Sequence, residues 1–209
     1  FGFDDAEAFI DGMMEAHLSA YKIRGAAVTL VTGGKVRLAK GYGFSDAEGT
    51  VPVDAGTAFH VASVSKLFVW ASLLTVKHLA THTAGFEEKN FGALYPSPTE
   101  SLPLDRYIQD YIPARIYPPG ELCSYSNYGS VLGAYLVQEV AGVPFDEFCR
   151  TQFFDPLQMD HTAFRLPAEE NPDTNYSPGF TITGSGFLKR DFPVINDYPA
   201  GSLITAASD

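Results

Sequence analysis

Behind Asp4 and Asp5, the apolar residues Ala8, Phe9, Met13, Ala16, Leu18 and Tyr21 recur at roughly helical spacing. The two aspartates supply a cap and early negative charge, so the spacing predicts a helix from Asp4 to Tyr21. The period then changes. Ala26 to Thr32 and Lys35 to Tyr42 are strand candidates joined at Gly33-Gly34, a strong hairpin signal. Gly41-Tyr42-Gly43 and Asp46-Ala47-Glu48-Gly49 read as the strand's end and a turn. Thr57 to Ala62 is a short extended approach to the apolar run Leu67 to Leu74. Leu67 to Leu79 reads as one buried helix, running at once into a second short helix over His78 to Ala84 that Gly85 closes. Phe86 to Pro103, rich in Pro, Gly and aromatics, should be a loop. Leu104 to Ile112 is a short helix ended by Pro113, and Tyr117-Pro118-Pro119-Gly120 is a rigid turn. Val131, Leu132, Tyr135, Leu136 and Val140 place a helix over Gly129 to Ala141, with Gly142 as its stop. Pro144 to Phe153 is another, with Phe145, Phe148 and Cys149 on one face and Asp155-Pro156 ending it. Beyond Leu166 the chain reads as loop-rich, with glycine turns at Gly184-Ser185-Gly186 and Pro199-Ala200-Gly201.

Composition narrows the class. The 209 residues suffice for one large domain or two small ones. With 45% hydrophobic and 19% charged residues the chain has the balance of a globular core, which excludes a disordered tail protein. Its longest apolar runs are too short to cross a bilayer as helices. A formal net charge of −11 argues against nucleic acid as a partner. It also repels anionic substrates at long range, although a local cationic pocket can outweigh it. Cys123 and Cys149 lack metal-ligand spacing and read as two buried free thiols, one disulfide being the alternative. Because the chain opens on Phe1, removal of something upstream is expected; a cleaved signal peptide, a trimmed chain and a disordered leader all stay open.

Candidate chemistry starts at Ala62-Ser63-Val64-Ser65-Lys66. A serine and a lysine three apart at the start of a helix share one face, which sets an ammonium beside a hydroxyl. The helix N-terminus favours negative charge developing on that oxygen. The bland alternative is that Ser63 or Ser65 is an N-cap. Tyr125-Ser126-Asn127 is the second stretch, whose bland reading is a buried tyrosine and a cap at the start of a helix. His78 and His82 stand four apart and could hold a metal, but Leu79 occupies the place where a His-Glu-x-x-His protease needs its glutamate. A structural histidine pair is the preferred account.

Taken in order, six blocks resemble the serine β-lactamase and penicillin-binding protein superfamily in its class C-like branch. They are Gly41-Tyr42-Gly43, Thr57 to Lys66, and His78 to Gly85, followed by Pro119-Gly120 with Tyr125-Ser126-Asn127. Phe154 to Met159 and Pro199-Ala200-Gly201 complete the set. The resemblance implies an α+β fold, an antiparallel sheet with flanking helices plus a mostly helical domain. Residues 1–60 would then belong to the sheet domain and 61–209 to the helical one. It further implies Ser63 as acylated nucleophile, Lys66 as its cationic partner and Tyr125 as proton acceptor and donor. Asn127 is similar to the residue that hydrogen-bonds a substrate amide. Whether Lys66 or Tyr125 is the general base stays open.

Two departures accompany the likeness. The family has more chain between the Ser-x-x-Lys helix and the histidine block than Leu74 to Val76 provide, so a segment there is either deleted or unobserved. The chain also ends at Asp209, before the family's Lys/His-x-Gly strand and the oxyanion N–H it supplies. Losing such a donor costs on the order of a hundredfold in rate. The expectation is therefore that these residues lack C-terminal strands and are incomplete for activity, while the parent protein is an enzyme.

The implied reaction is acyl transfer through a serine ester, on a β-lactam, a D-Ala-D-Ala-like peptide or an ester, without metal or organic cofactor. The implied location is periplasmic or secreted. Rival readings are an esterase or D-amino-acid peptidase of the same fold, an inactive homologue serving as a binding module, and a metal hydrolase built on His78 and His82.

Overall fold

The computed structural model describes residues 3–72, 77–89, 102–164, 175–184, 186–190 and 195–209. It opens with α1 (Phe3–Tyr21), β1 (Gly25–Thr32), β2 (Lys35–Gly43) and β3 (Ala58–His60). A 3-10 turn (Ala62–Ser65), α2 (Lys66–Ser72), α3 (Lys77–Ala80), α4 (Leu104–Asp110) and α5 (Asn127–Ala141) follow. Next come α6 (Phe145–Cys149), a π turn (Arg150–Phe154), α7 (Asp155–Leu157), β4 (Ala163–Phe164) and β5 (Tyr176–Ser177). The hairpin strands β6 (Gly179–Thr183) and β7 (Gly186–Arg190), then α8 (Tyr198–Gly201) and β8 (Leu203–Ala206), complete the chain. Helices and strands of this order make the fold α+β.

Two compact units share these elements. The first comprises Phe1–Phe59, Asp173–Phe192 and Thr205–Asp209; the second comprises His60–Pro172 and Pro193–Ile204. These bounds differ from a division into 1–60 and 61–209, because the chain returns twice to the first unit. Tyr176 pairs with Ala58 in a parallel ladder, and the Ser208 amide donates to the Ala55 carbonyl at 2.9 Å.

In the first unit β1 and β2 form the expected antiparallel hairpin, from Gly25↔Gly43 to Thr32↔Lys35. Gly33 and Gly34 turn it with φ of 59° and 71°, the left-handed pair that a two-residue hairpin loop requires. Helix α1 is tied to β2 by Lys40, whose Nζ lies 2.8 Å from Asp11 and 3.1 Å from Glu7. The hairpin β6–β7 falls where the sequence reads as loop. Its signal was the alternation Phe180, Ile182 ahead of a glycine turn, with Phe180 meeting Phe187 edge to face at 6.3 Å.

The second unit is organised on α5, which packs against α2, α3, α4, α6 and α8. Tyr128, Val131, Ala134 and Val137 are its buried stripe at helical spacing. Ser126 caps it, accepting from the Gly129 amide at 3.1 Å, so the helix begins at Asn127, two residues before the expected Gly129. Gly142, at φ 72°, ends it. The helical path expected to stop at Asp155-Pro156 continues to Leu157, since Pro156 sits in the first turn of α7, where no N–H is needed. Gln158, at φ 58°, is the actual stop. Likewise α3 ends at Ala80 and not at Gly85, because His82 is left-handed at φ 54°. β4 pairs antiparallel with β8 through Ala163↔Ile204 and Phe164↔Leu203.

Some expectations fall outside the described residues: the segment Leu74 to Val76, and most of the loop from Phe86 to Pro103. Both cysteines are free, but only Cys149 is buried. Cys123 is exposed because it follows the Pro118-Pro119-Gly120 turn at the surface, its Sγ resting 3.6 Å from the Thr81 carbonyl. Among the described residues, no helix is long and apolar enough to cross a membrane.

Candidate active site

The turn that carries Ser63 is built under tension. Ala62 has φ 46°, a left-handed conformation that costs a non-glycine residue on the order of 1–3 kcal/mol. Buried contacts hold it there. The Val61 amide donates to the Leu203 carbonyl at 3.0 Å. The fully buried Ser65 hydroxyl donates to the Ala62 carbonyl and accepts from the Leu203 amide at 3.0 Å. In a 3-10 turn, residues three apart eclipse one another. Ser63 therefore stays exposed at the surface while Lys66, directly beneath it, is only 1% exposed.

Lys66 Nζ lies 3.2 Å from Ser63 Oγ and donates also to the Ala200 carbonyl. A buried ammonium without partners would be too costly to retain; these two acceptors meet that cost. Ala200 is presented by α8, where its own amide donates to the Asp197 carbonyl at 2.7 Å. Asp197 is itself buried, and desolvation pushes its carboxyl up to about 6 against the pull of the Lys66 charge.

From the other side comes Tyr125, just ahead of the α5 cap. Its hydroxyl is 3.0 Å from Ser63 Oγ and donates to Asn127 Oδ1 at 3.3 Å. Lys66 Nζ stands 5.2 Å from the centre of the Tyr125 ring. The structure thus brings together all four residues singled out from the sequence: Ser63, Lys66, Tyr125 and Asn127.

Two further residues complete the site. The His82 ring packs on the Tyr125 ring with centroids 4.6 Å apart, and its Nδ1 accepts from the Ser126 amide at 3.3 Å. A ring nitrogen that accepts an N–H carries no proton, so neutral His82 holds its proton on Nε2. Burial, then the Lys66 charge, lowers its pKa, with Glu88 opposing. The other addition is Glu88, whose carboxylate takes the Asn127 amide at 2.8 Å and Asn127 Nδ2 at 2.6 Å. Nothing in the sequence distinguished Glu88 from Glu87 beside it. The four-residue spacing that would put His78 and His82 on one helical face does not do so, because α3 ends between them. His78 Nδ1 meets Thr83 Oγ1 at 3.1 Å instead. Among the described residues, no group of three His, Cys, Asp or Glu side chains is placed to hold a metal ion.

A serine hydroxyl between a buried cation and a phenol is an arrangement suited to acyl transfer. The family model for Beta-lactamase matches residues 7–74 and 70–209. The chain belongs to the beta-lactamase family. Among similar sequences, Protein flp of Staphylococcus aureus is 24% identical over an alignment of 245 residues, which takes in 99% of this chain and 48% of that protein. The chain therefore spans about half the length of the curated relatives it matches. The octameric penicillin-binding protein homologue from Pyrococcus abyssi superposes with a TM-score of 0.80 at 20% identity, over 96% of this chain and 54% of that one. The D-amino acid amidase from Ochrobactrum anthropi does so with a TM-score of 0.79 at 18% identity, over 97% and 67%. At these identities the superpositions show the fold, which is that of the β-lactamases and transpeptidases.

Proposed function

We propose that Ser63, Lys66 and Tyr125 are the acyl-transfer centre of a serine hydrolase acting on β-lactams or related amides and esters. One observation carries the reading: Ser63 Oγ sits 3.2 Å from Lys66 Nζ and 3.0 Å from the Tyr125 hydroxyl, although Tyr125 is 62 positions away. Once the Lys66–Tyr125 pair has given up one proton to water, Ser63 Oγ attacks the substrate carbonyl carbon and its proton passes to that pair. The carbonyl's C–N or C–O bond breaks, and the leaving atom takes a proton from that pair. Water then attacks the serine ester, gives up its proton by the same route and regenerates the Ser63 hydroxyl. Lys66 stabilises the developing alkoxide by Coulomb attraction in a partly desolvated setting. Asn127 has two Nδ2 hydrogens, one of them taken by Glu88, so the second is available to a substrate carbonyl. The amidase among the structural neighbours and the family itself support amides and β-lactams as the substrate class.

The test is labelling and turnover in the intact protein. A fluorescent penicillin and a fluorophosphonate should label the parent protein, and Ser63→Ala should abolish the label. Turnover of nitrocefin, p-nitrophenyl butyrate and D-phenylalanine amide then ranks the substrates. Tyr125→Phe should lower the turnover rate by about 10²- to 10⁴-fold. Label surviving Ser63→Ala, or a binding protein that turns over none of the three, would overturn the assignment.

A further inference from the structure

We infer that Glu88 is a positioning residue that sets the direction of every hydrogen bond from Asn127 back to Ser63. The inference rests on the acyl-transfer reading above. An ionised carboxylate only accepts, so its contacts with the Asn127 amide at 2.8 Å and with Asn127 Nδ2 at 2.6 Å are both donations from Asn127. This two-point grip decides which way round the Asn127 side-chain amide sits: Nδ2 toward Glu88, Oδ1 toward Tyr125. An amide oxygen also only accepts, so the Tyr125 hydroxyl, 3.3 Å away, directs its one hydrogen to Asn127. Tyr125 then faces Ser63 with a lone pair, and the Ser63 hydroxyl at 3.0 Å donates to it. Lys66 donates to Ser63 Oγ from beneath at 3.2 Å.

Before the Lys66–Tyr125 pair gives up its proton, the chain runs one way, from Lys66 through Ser63, Tyr125 and Asn127 to Glu88. Its consequence is that the Ser63 hydrogen points at the phenol and is kept away from an arriving carbonyl. Without the carboxylate, the Asn127 amide is free to turn over and offer Nδ2 to Tyr125. The phenol hydrogen would then swing back onto Ser63 and turn the serine hydrogen out. The grip on the Asn127 backbone also sets a negative charge at the N-terminus of the 15-residue helix α5, where the helix dipole favours it. Glu88 is exposed, so its replacement leaves the core untouched.

The experiment uses the intact protein and Glu88→Gln, whose amide puts a donor against one of the two Asn127 donors. The rate of fluorophosphonate labelling at Ser63 should fall about ten- to hundredfold, the loss expected of a hydrogen bond to a charged group. The concentration giving half-maximal rate should stay nearly unchanged. Glu87→Gln, the same loss of charge one residue away, should leave the labelling rate alone. In an Asn127→Ala background, Glu88→Gln should cost nothing further, because the residue acts through Asn127. In protein labelled with ¹⁵N-asparagine, the Asn127 Nδ2 proton bound to the carboxylate should resonate downfield and lose that shift in Glu88→Gln.

An unchanged labelling rate in Glu88→Gln, an equal loss in Glu87→Gln, or full additivity with Asn127→Ala would each overturn the inference. If the parent protein takes no label, or Ser63→Ala keeps it, the acyl-transfer reading fails. The asparagine resonance alone then decides whether Glu88 holds the amide.

Discussion

Ser65 shows how a buried hydroxyl fixes the backbone that carries its neighbour Ser63. Its buried hydroxyl satisfies both the Ala62 carbonyl and the Leu203 amide, and those two contacts hold the left-handed Ala62 next to Ser63. Ser65→Ala leaves both groups without that partner, and unfolding by urea should report a loss of about 1–3 kcal/mol. Two titrating groups beside Lys66 make opposite predictions. His82 has a lowered pKa, so the unfolded chain binds a proton that the folded one refuses just below the ordinary value of 6.5. Its contribution is full above 6.5 and is lost as pH falls through the folded value. His82→Gln should therefore flatten the decline in stability between about pH 7.5 and about pH 5.5. Asp197 is raised from 3.8 to about 6, so its contribution is full below 3.8 and is lost as pH rises through about 6. Asp197→Asn should gain stability over the parent at about pH 8 and gain little at about pH 4, as measured by chemical denaturation. A pH-independent difference in either variant would show that the named group is not the one titrating.

At the level of elements, the segment from His82 to Glu88 is the weak point around Ser63, because it carries two side chains that touch Tyr125, Ser126 and Asn127 without belonging to a helix or strand. It is laced instead to residues 114–126. The Ser124 amide donates to His82 at 2.7 Å, Gly120 to Thr83 at 2.8 Å and Ile116 to Gly85 at 2.8 Å. Gly85 stands at the tightest point. Its φ is 81°, and a Cβ there would lie 1.9 Å from the Tyr117 carbonyl oxygen, so both the torsion and the space demand glycine. Gly85→Ala should cost about 2–4 kcal/mol and slow Ser63 labelling as well, since Glu88 and His82 move with the segment. A variant with parental stability would mean that the backbone here relaxes freely. The sequence marked Gly85 as a helix stop. The true stop lies earlier, and the glycine is needed by a neighbour 32 positions on whose closeness no local pattern reveals.

For the molecule as a whole, unit one is discontinuous in sequence, drawing on Phe1–Phe59, Asp173–Phe192 and Thr205–Asp209. Within it Ala58 pairs with Tyr176, Ala55 accepts from Ser208, and Thr29 donates to the Ala207 carbonyl. Residues 1–59 expressed alone should therefore fail to fold, giving amide resonances of poor dispersion and no cooperative thermal transition. A cooperatively melting fragment would show that helix α1 and the first hairpin need none of those partners. Local periodicity determined α1, the β1–β2 hairpin, the buried stripe of α5 and the adjacency of Ser63 to Lys66, because each depends on torsions within a turn or two. The resemblance of six blocks to the family, and not any period, is what implied that Tyr125 and Asn127 would lie near Ser63. Only the tertiary structure decided which groups surround them. Glu88 reaches Asn127 across 39 positions, and Lys66 finds the Ala200 carbonyl across 134. His82 leaves its helical partner for the Tyr125 ring. Such contacts are closed by loops without a period, where the gain comes from burying and pairing polar groups; a repeating pattern along the chain carries no record of which distant groups those will be.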